Sequence, residues 1–294
     1  MSDGARPWYA RWWAIALFLG AVLLATGWLT VQALGLRSIS VDAEPMRLPE
    51  EGFDYSWWNE ALSRWVHPEG VDYAAVLEEE GDLRRFVATL ATTGPRSTPS
   101  RFSTEPERLA YYVNAYNALT LFGVVDNWPI QSVHDVRGWL DPRAGFGFFY
   151  GLQFPLDGTG VNLYELENAI IRSYLDARIH AAINCASKSC PALAPYAFEA
   201  ATLDDQLDAV TRAFCSNAPH VRVDEDARQI RLSAIFDWYK ADFEEHARRL
   251  GRPATIEDFI AAFADPATAE ALERARKAEF EVVFEPYDWT LNQL

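Results

Sequence analysis

Two of the three cysteines in this chain lie close together and share a neighbouring histidine. Cys185 and Cys190 flank residues 186–189, and His180 stands shortly before them. A thiolate is the strongest nucleophile that a protein side chain offers, and a nearby imidazole or a helix N-terminus is the usual means of forming one at neutral pH. The residue types and their spacing therefore indicate thiol chemistry in this segment.

The first hypothesis is a cysteine-dependent hydrolase or acyltransferase, in which Cys190 attacks an acyl carbon and His180 accepts the thiol proton. Asn114, Asn117 and Glu167 are the candidates for orienting the imidazole or binding the oxyanion. A proline follows Cys190, and proline favours the first position of a helix. Cys190 is therefore predicted to cap a short helix, whose dipole would lower the pKa of its thiol. The substrate would be an unidentified small molecule or peptide.

Two other interpretations of the same cysteines stay open. A disulfide between Cys185 and Cys190 would shape a loop in a non-catalytic binding or envelope-interaction module, and a pair cycling between dithiol and disulfide would make a redox protein. His180 could join both cysteines as a set of metal ligands, but no fourth ligand stands at a metal-binding spacing. No metal and no cofactor are therefore predicted.

The composition disfavours some classes of function. The chain has 294 residues, is 50% hydrophobic and carries a net charge of −16. This hydrophobic content is sufficient for a folded core. The acidity disfavours a nucleic-acid partner, because binding a polyphosphate backbone requires an excess of Lys and Arg on one surface. No phosphate-binding or dinucleotide-binding glycine pattern occurs in the sequence. We expect a folded protein that binds no nucleic acid.

Residues 13–36 carry no charged side chain and are long enough for a helix that crosses a bilayer core of about 30 Å. Arg6 and Arg11 precede this segment, so the positive-inside rule places residues 1–12 in the cytoplasm. The sequence thus predicts a transmembrane anchor or uncleaved signal, with the membrane as a partner. The predicted location is the plasma (inner) membrane, single-pass, with the main domain extracytoplasmic or periplasmic. A signal peptide cleaved after Ala33 is the alternative.

The remaining sequence predicts an α+β fold, a mostly helical single domain with a small sheet at residues 54–294, after a polar linker at 37–53. Thr104 and Glu107 have the spacing of a capping box and open a long apolar helix. Predicted helices cover 104–125, 163–174, 203–214, 234–250 and 267–277, with a further one opened at 255. Predicted strands cover 146–155 (as a pair), 179–184, 221–223, 230–232 and 280–284. Side chains alternate along a strand, so a strand at 179–184 would place His180 and the adjoining Cys185 on opposite faces.

Several conspicuous side chains also have purely structural interpretations. Glu167 and Arg178 could form a buried ion pair that holds a helix to a strand. Large aromatic residues near the C-terminus are most simply explained as parts of the core; these are Trp238, Tyr239, Tyr287 and Trp289.

Six blocks of sequence carry a resemblance to a known family. They are Asn114-Ala115-Tyr116-Asn117-Ala118-Leu119, Leu163-Tyr164-Glu165-Leu166-Glu167, Asp176-Ala177-Arg178-Ile179-His180, residues 184–193, Ile235-Phe236-Asp237-Trp238-Tyr239 and residues 287–292. Over roughly residues 71–292 the chain resembles the bacterial and plant family called domain of unknown function 547. Some relatives join this domain to glutaredoxin-like modules, which implies thiol chemistry only by association. Where the family usually has Ile-Glu-His, this chain has Leu166-Glu167-Asn168, so it lacks a histidine that could serve relatives as a base or ligand, and a mechanism that depends on that histidine does not carry over.

Overall fold

The computed structural model of the protein describes residues 19–20, 22–24, 26–27, 36–138 and 144–294. Between residues 36 and 294 its α-helices are α1 (Ser56–Trp65), α2 (Tyr73–Glu78), α3 (Glu80–Thr92), α4 (Glu105–Asp126), α5 (Leu163–Glu165), α6 (Ile179–Ala182), α7 (Leu203–Ser216), α8 (Ala234–Trp238), α9 (Lys240–Arg249), α10 (Ile256–Phe263) and α11 (Pro266–Lys277). Its strands are β1 (Arg37–Ser38), β2 (Val66–His67), β3 (Gly70–Val71), β4 (Leu152–Leu156), β5 (Thr159–Val161), β6 (Val221–Asp224), β7 (Gln229–Ser233) and β8 (Glu281–Glu285). The prediction of a largely helical α+β domain with little sheet is correct.

The predicted membrane anchor must be corrected. Within the described ranges, no helix combines the length and the apolar character needed to cross a bilayer. This finding contradicts the fold class that included a transmembrane helix at 13–36, and the single-pass location with a periplasmic domain is contradicted with it. Most of that segment, residues 1–12 and the alternative cleavage site at Ala33 lie outside the described residues.

Helix α4 is the centre of a first hydrophobic core. At its start the Thr104 hydroxyl accepts the backbone N–H of Glu107, and the Glu107 carboxylate accepts the N–H of Thr104, which confirms the predicted capping box. The helix is buried along nearly its whole length from Leu109 to Val125. A helix that is apolar on every face must be surrounded by other elements. Asn114 and Asn117 are therefore placed inside the protein, where their amides need partners.

A second core adjoins the first. Strand β6 pairs antiparallel with β7, and β7 pairs parallel with β8. The sheet and the surrounding helices bury a set of phenylalanines together with Cys215; these are Phe214, Phe236, Phe243, Phe259 and Phe263. The predicted hairpin and the predicted final strand are confirmed. The predicted helix at 234–250 is interrupted at Tyr239, so it forms α8 and α9 instead.

The aromatic, glycine-rich stretch at 146–155 is only partly a strand. Gly147–Gly151 forms a π-helical turn, and β4 begins directly after it and pairs with β5. A Cβ atom at Gly147 would lie 2.2 Å from the carbonyl oxygen of Val136. The turn therefore depends on glycine, because any side chain there would collide with the backbone of residues 136–137.

The segment that carries His180, Cys185 and Cys190 differs most from the structure predicted for it. Residues 179–184 are not a strand, because α6 takes up Ile179–Ala182, a stretch that includes two alanines, the best helix formers. Side-chain alternation therefore does not separate His180 from Cys185. The predicted helix after Cys190 is also wrong: the N–H of Cys190 donates to the carbonyl of Ser187 at 3.1 Å and closes a turn, and residues 191–194 have no regular secondary structure.

Candidate active site

A cavity of about 530 Å³ lies where the two cores meet. Its wall is mostly aromatic, formed by Tyr116, Phe149, Tyr150, Tyr164, Trp238, Tyr239, Tyr287 and Trp289. Its polar groups are His134, Glu167, Asn168, Arg172, His180, Cys185 and Cys190. A concave, largely apolar site with a few converging polar groups is the usual form of a small-molecule site. Three of the five predicted catalytic residues, Cys190, His180 and Glu167, face this cavity.

The loop that carries Cys185 is held in an uncommon backbone conformation. Ala186 has φ of +60°, a left-handed conformation that alanine rarely adopts. The Asn184 side chain stabilises it, because Oδ1 accepts the N–H of Ala186 at 2.8 Å while Nδ2 donates to the carbonyl of Pro191 at 2.8 Å. Strained backbone of this kind persists only where the surroundings enforce it, and it is concentrated at functional sites.

Cys185 has the environment of a reactive thiol. Its sulfur lies 3.0 Å from the Ser187 hydroxyl and 3.0 Å from the Tyr287 hydroxyl, and the two hydroxyl oxygens are 2.9 Å apart. Burial by itself would raise the pKa of this thiol, but hydrogen bonds from Cys190, Ser187 and Tyr287 lower the pKa below that of an ordinary cysteine. Cys185 is therefore the sulfur that ionises first.

Cys190 is placed differently. The residue is only 8% exposed, and its sulfur accepts the backbone N–H of Cys185 at 3.1 Å. Burial and the neighbouring Cys185 raise the pKa of the Cys190 thiol well above its usual range. Both thiols are free, so the predicted disulfide is wrong. The physical reason is that the Cys185 sulfur is directed to Ser187 and Tyr287.

His180 belongs to an ionic network on the adjacent wall. Its Nε2 lies 2.8 Å from Asp242, and Arg172 contacts both oxygens of the same carboxylate at 2.8 and 3.0 Å. Burial would raise the pKa of Asp242, but the hydrogen bonds from His180 and Arg172 hold the pKa well below its usual range. Asp242 is thus ionised and accepts the Nε2 proton, which fixes the orientation of the imidazole. His180 makes no hydrogen bond to Cys185 or Cys190, so the predicted thiol–imidazole pair is not formed.

Glu167 is held by two tyrosines. The Tyr239 hydroxyl donates to one carboxylate oxygen and the Tyr116 hydroxyl donates to the other, the latter at 3.4 Å. Tyr239 also stacks on His180 with 3.9 Å between ring centres. The hydrogen-bond network of Glu167 is therefore in contact with that of Asp242. The predicted ion pair with Arg178 is wrong, because Arg178 instead pairs with three aspartates; these are Asp176, Asp204 and Asp208.

Asn114 and Asn117 do not line the cavity. The Asn114 amide exchanges two hydrogen bonds with the backbone of Phe198, at 2.7 and 3.0 Å. Asn117 accepts the N–H of Asn184 at 2.8 Å and donates to the carbonyl of Ala182 at 3.0 Å. Asn117 therefore stabilises the backbone that leads into the Cys185 loop, whereas Asn114 stabilises the backbone at Phe198, which is further away in the chain.

Four site residues were not predicted as such. Tyr239 and Tyr287 were interpreted as core aromatics, and Ser187 and Asp242 were not singled out. Ser187 could have been noticed from its place between the two cysteines, but Asp242 and Tyr287 reach the site only through tertiary packing. Among the described residues, no group of three or more His, Cys, Asp or Glu side chains could hold a metal ion.

The comparison with family models agrees with the sequence motifs. The family model described as "Protein of unknown function, DUF547" matches residues 99–215. This segment belongs to that family. The DUF547 segment contains α4, Glu167, His180 and the cysteine loop, whereas Asp242 and Tyr287 lie C-terminal to it. No curated protein and no solved structure matches the chain.

Proposed function

We propose that this protein is a cysteine-dependent hydrolase or acyltransferase in which Cys185 is the nucleophile. The observation that carries the proposal is the contact of the Cys185 sulfur with two hydroxyls, Ser187 and Tyr287, at the wall of an aromatic cavity. Hydroxyl donors stabilise a thiolate more than a thiol, so the arrangement favours the nucleophilic form. Cys190, the nucleophile predicted from the sequence, is the poorer candidate because its thiol is more deeply buried and harder to ionise.

The proposed reaction has two steps. The Cys185 thiolate attacks the acyl carbon of an ester, thioester or amide, and the leaving group departs with a proton as the Cys185 thioester forms. Water or another nucleophile then attacks the thioester carbon, the C–S bond breaks and the thiolate returns. His180, held by ionised Asp242, lines the same cavity and is the proposed proton carrier for the leaving group and for the attacking nucleophile.

Cys190 acts as a supporting residue in this proposal. Its sulfur is hydrogen-bonded to the N–H of Cys185, and its side chain contributes a hydrogen bond that lowers the pKa of Cys185.

The test is acylation with p-nitrophenyl acetate, followed by mass spectrometry of the protein and measurement of released p-nitrophenolate. We expect a burst of one equivalent, with the acetyl group on the peptide that contains Cys185. The C185S variant should show no burst, and the matched variant C215S, which removes a thiol buried in the second core, should behave like the unmodified protein. A full burst in C185S, or acetylation of Cys190 alone, would refute the proposal.

A further inference from the structure

We infer that the cavity binds a cationic amine, and that this amine is the acceptor of the acyl group carried by Cys185. The inference rests on the proposed function and names the second substrate of the same site. It distinguishes an acyltransferase that forms amides from a simple hydrolase.

The first support is the state of Glu167. This carboxylate faces the cavity although the residue is only 9% exposed. It receives hydrogen bonds from two neutral phenols, and within the described part of the chain no Lys, Arg or His forms an ion pair with it. A buried carboxylate without a cationic partner is unfavourable, and buried charges in proteins are normally paired. An ammonium group in the cavity would supply the missing partner.

Arg172 forms no direct ion pair with Glu167. Its guanidinium contacts both oxygens of Asp242 and also lies over the ring of Tyr239, 5.3 Å from its centre. The direct ion-pair partner of Arg172 is Asp242, so Arg172 acts on Glu167 only through a longer-range Coulombic interaction, and among the described residues Glu167 has no cation in direct contact. The net charge of −16 adds a negative potential that concentrates cations near the protein.

The second support is the aromatic wall. Cations bind to the faces of aromatic rings, most strongly to tryptophan, and cages of such rings recognise alkylammonium groups. Trp238 is 48% exposed, lines the cavity and stacks on Trp289 at an interplanar angle of 17°. Tyr287, which contacts the Cys185 sulfur, lies 4.8 Å from Trp238 between ring centres. The aromatic surface therefore extends from the cavity mouth to the nucleophile.

The chemistry balances without any further reagent. An alkylammonium ion enters the cavity and transfers one proton to the Glu167 carboxylate. The free amine attacks the thioester carbon, the new C–N bond forms, the C–S bond breaks and the Cys185 thiolate returns. The second nitrogen proton passes to His180, the proton carrier of the proposed function, as the amide forms, and Glu167 releases its proton to solvent when the product departs.

Binding can be tested without any acyl chemistry. In the C185S protein, titration with choline should change the tryptophan fluorescence in a saturable way, whereas its uncharged carbon isostere dimethylbutanol should bind at least about tenfold more weakly. The E167Q variant should lose the preference for choline. The matched variant E165Q, which alters an exposed carboxylate two residues away, should retain it. Equal binding of the two ligands, or a preference unaffected by E167Q, would overturn the inference.

Turnover is tested in the unmodified protein with p-nitrophenyl acetate and either butylamine or butanol. We expect N-butylacetamide in preference to butyl acetate, and E167Q should lower the ratio of amide to free acetate by roughly tenfold. If acetyl-Cys185 forms but the amine is no better an acceptor than the alcohol, the inference fails while the proposed function stands. If acetyl-Cys185 never forms, the proposed function fails, and choline binding alone then decides whether the cavity is a cation site.

Discussion

Tyr287 and Cys185 lie 102 residues apart in the chain, yet the tyrosine hydroxyl and the cysteine sulfur are 3.0 Å apart. The contact is made possible by the C-terminal segment, which crosses the cysteine loop. The N–H groups of Lys188 and Ser189 donate to the carbonyls of Thr290 and Asp288, at 2.8 and 3.2 Å. The Cys185 sulfur is thus enclosed by the loop on which it lies and by a distant part of the sequence.

Replacing Tyr287 with phenylalanine should make Cys185 less reactive. The variant removes one hydroxyl that favours the thiolate, and a hydrogen bond to a charged group contributes about 1.5–3 kcal/mol. The pKa of Cys185 should therefore rise, and its alkylation by iodoacetamide at neutral pH should be about tenfold slower, as followed by mass spectrometry across a pH series. The Y196F variant, which alters a half-buried tyrosine in another pocket, should leave the rate unchanged. Equal rates in all three proteins would show that Tyr287 does not tune the thiol.

The two asparagines of α4 should be distinguishable by mutation. N114A and N117A each remove two hydrogen bonds to buried backbone groups, so each should lower the free energy of unfolding by about 2–4 kcal/mol in urea titrations. Only N117A releases the backbone of Asn184, and only this variant should also change the iodoacetamide reactivity of Cys185. A change of reactivity in N114A equal to that in N117A would contradict this separation.

The sequence was sufficient to predict the features that depend on local patterns. The capping box of α4 and the hairpin of the second core both follow from residues close together in the chain. The assignment of the nucleophile to Cys190 relied on a local argument as well, namely the proline that follows it, and the helix expected from that proline is not formed. The contact of the Cys185 sulfur with Tyr287 depends on tertiary packing that brings residue 287 to the cysteine loop, which no local pattern encodes.

The same limit explains the other errors. A short apolar run such as 179–184 suits a buried strand or a buried helix, and periodicity cannot separate the two. Large aromatic residues near the C-terminus are compatible with a buried core and equally with the wall of a cavity; these are Trp238, Tyr239, Tyr287 and Trp289. Asp242 lies on α9, where nothing in the neighbouring sequence indicates that it would contact His180.

The D242N variant should weaken both catalysis and the acid dependence of stability. His180 loses the ionised acceptor that fixes its imidazole, so turnover of p-nitrophenyl acetate should fall by roughly 100-fold. The native fold holds the pKa of Asp242 below its usual value, so its contribution to stability is complete above the unfolded pKa of about 4 and is lost as the pH falls through the native pKa. The free energy of unfolding should therefore decline less steeply below pH about 4 in D242N than in the unmodified protein. D237N, which alters an exposed aspartate on α8, serves as the control and should show the unmodified pH profile.

Substitution of Gly70 should disturb the Cys185 loop from a distance. Gly70 has φ of +152°, and a Cβ atom there would lie 2.5 Å from the carbonyl oxygen of Asn292. Asn292 in turn donates to Asn184 Oδ1 at 3.2 Å, so G70A should displace the C-terminal segment that supports the Cys185 loop. Gly52 is the matched control, because it also has a positive φ, +70°, but a Cβ atom there would meet no other atom within 4 Å. We expect G70A to destabilise the protein by about 1–3 kcal/mol more than G52A, and only G70A to slow alkylation of Cys185. If both variants lower stability equally and leave the thiol unchanged, the C-terminal segment does not transmit the disturbance to the site.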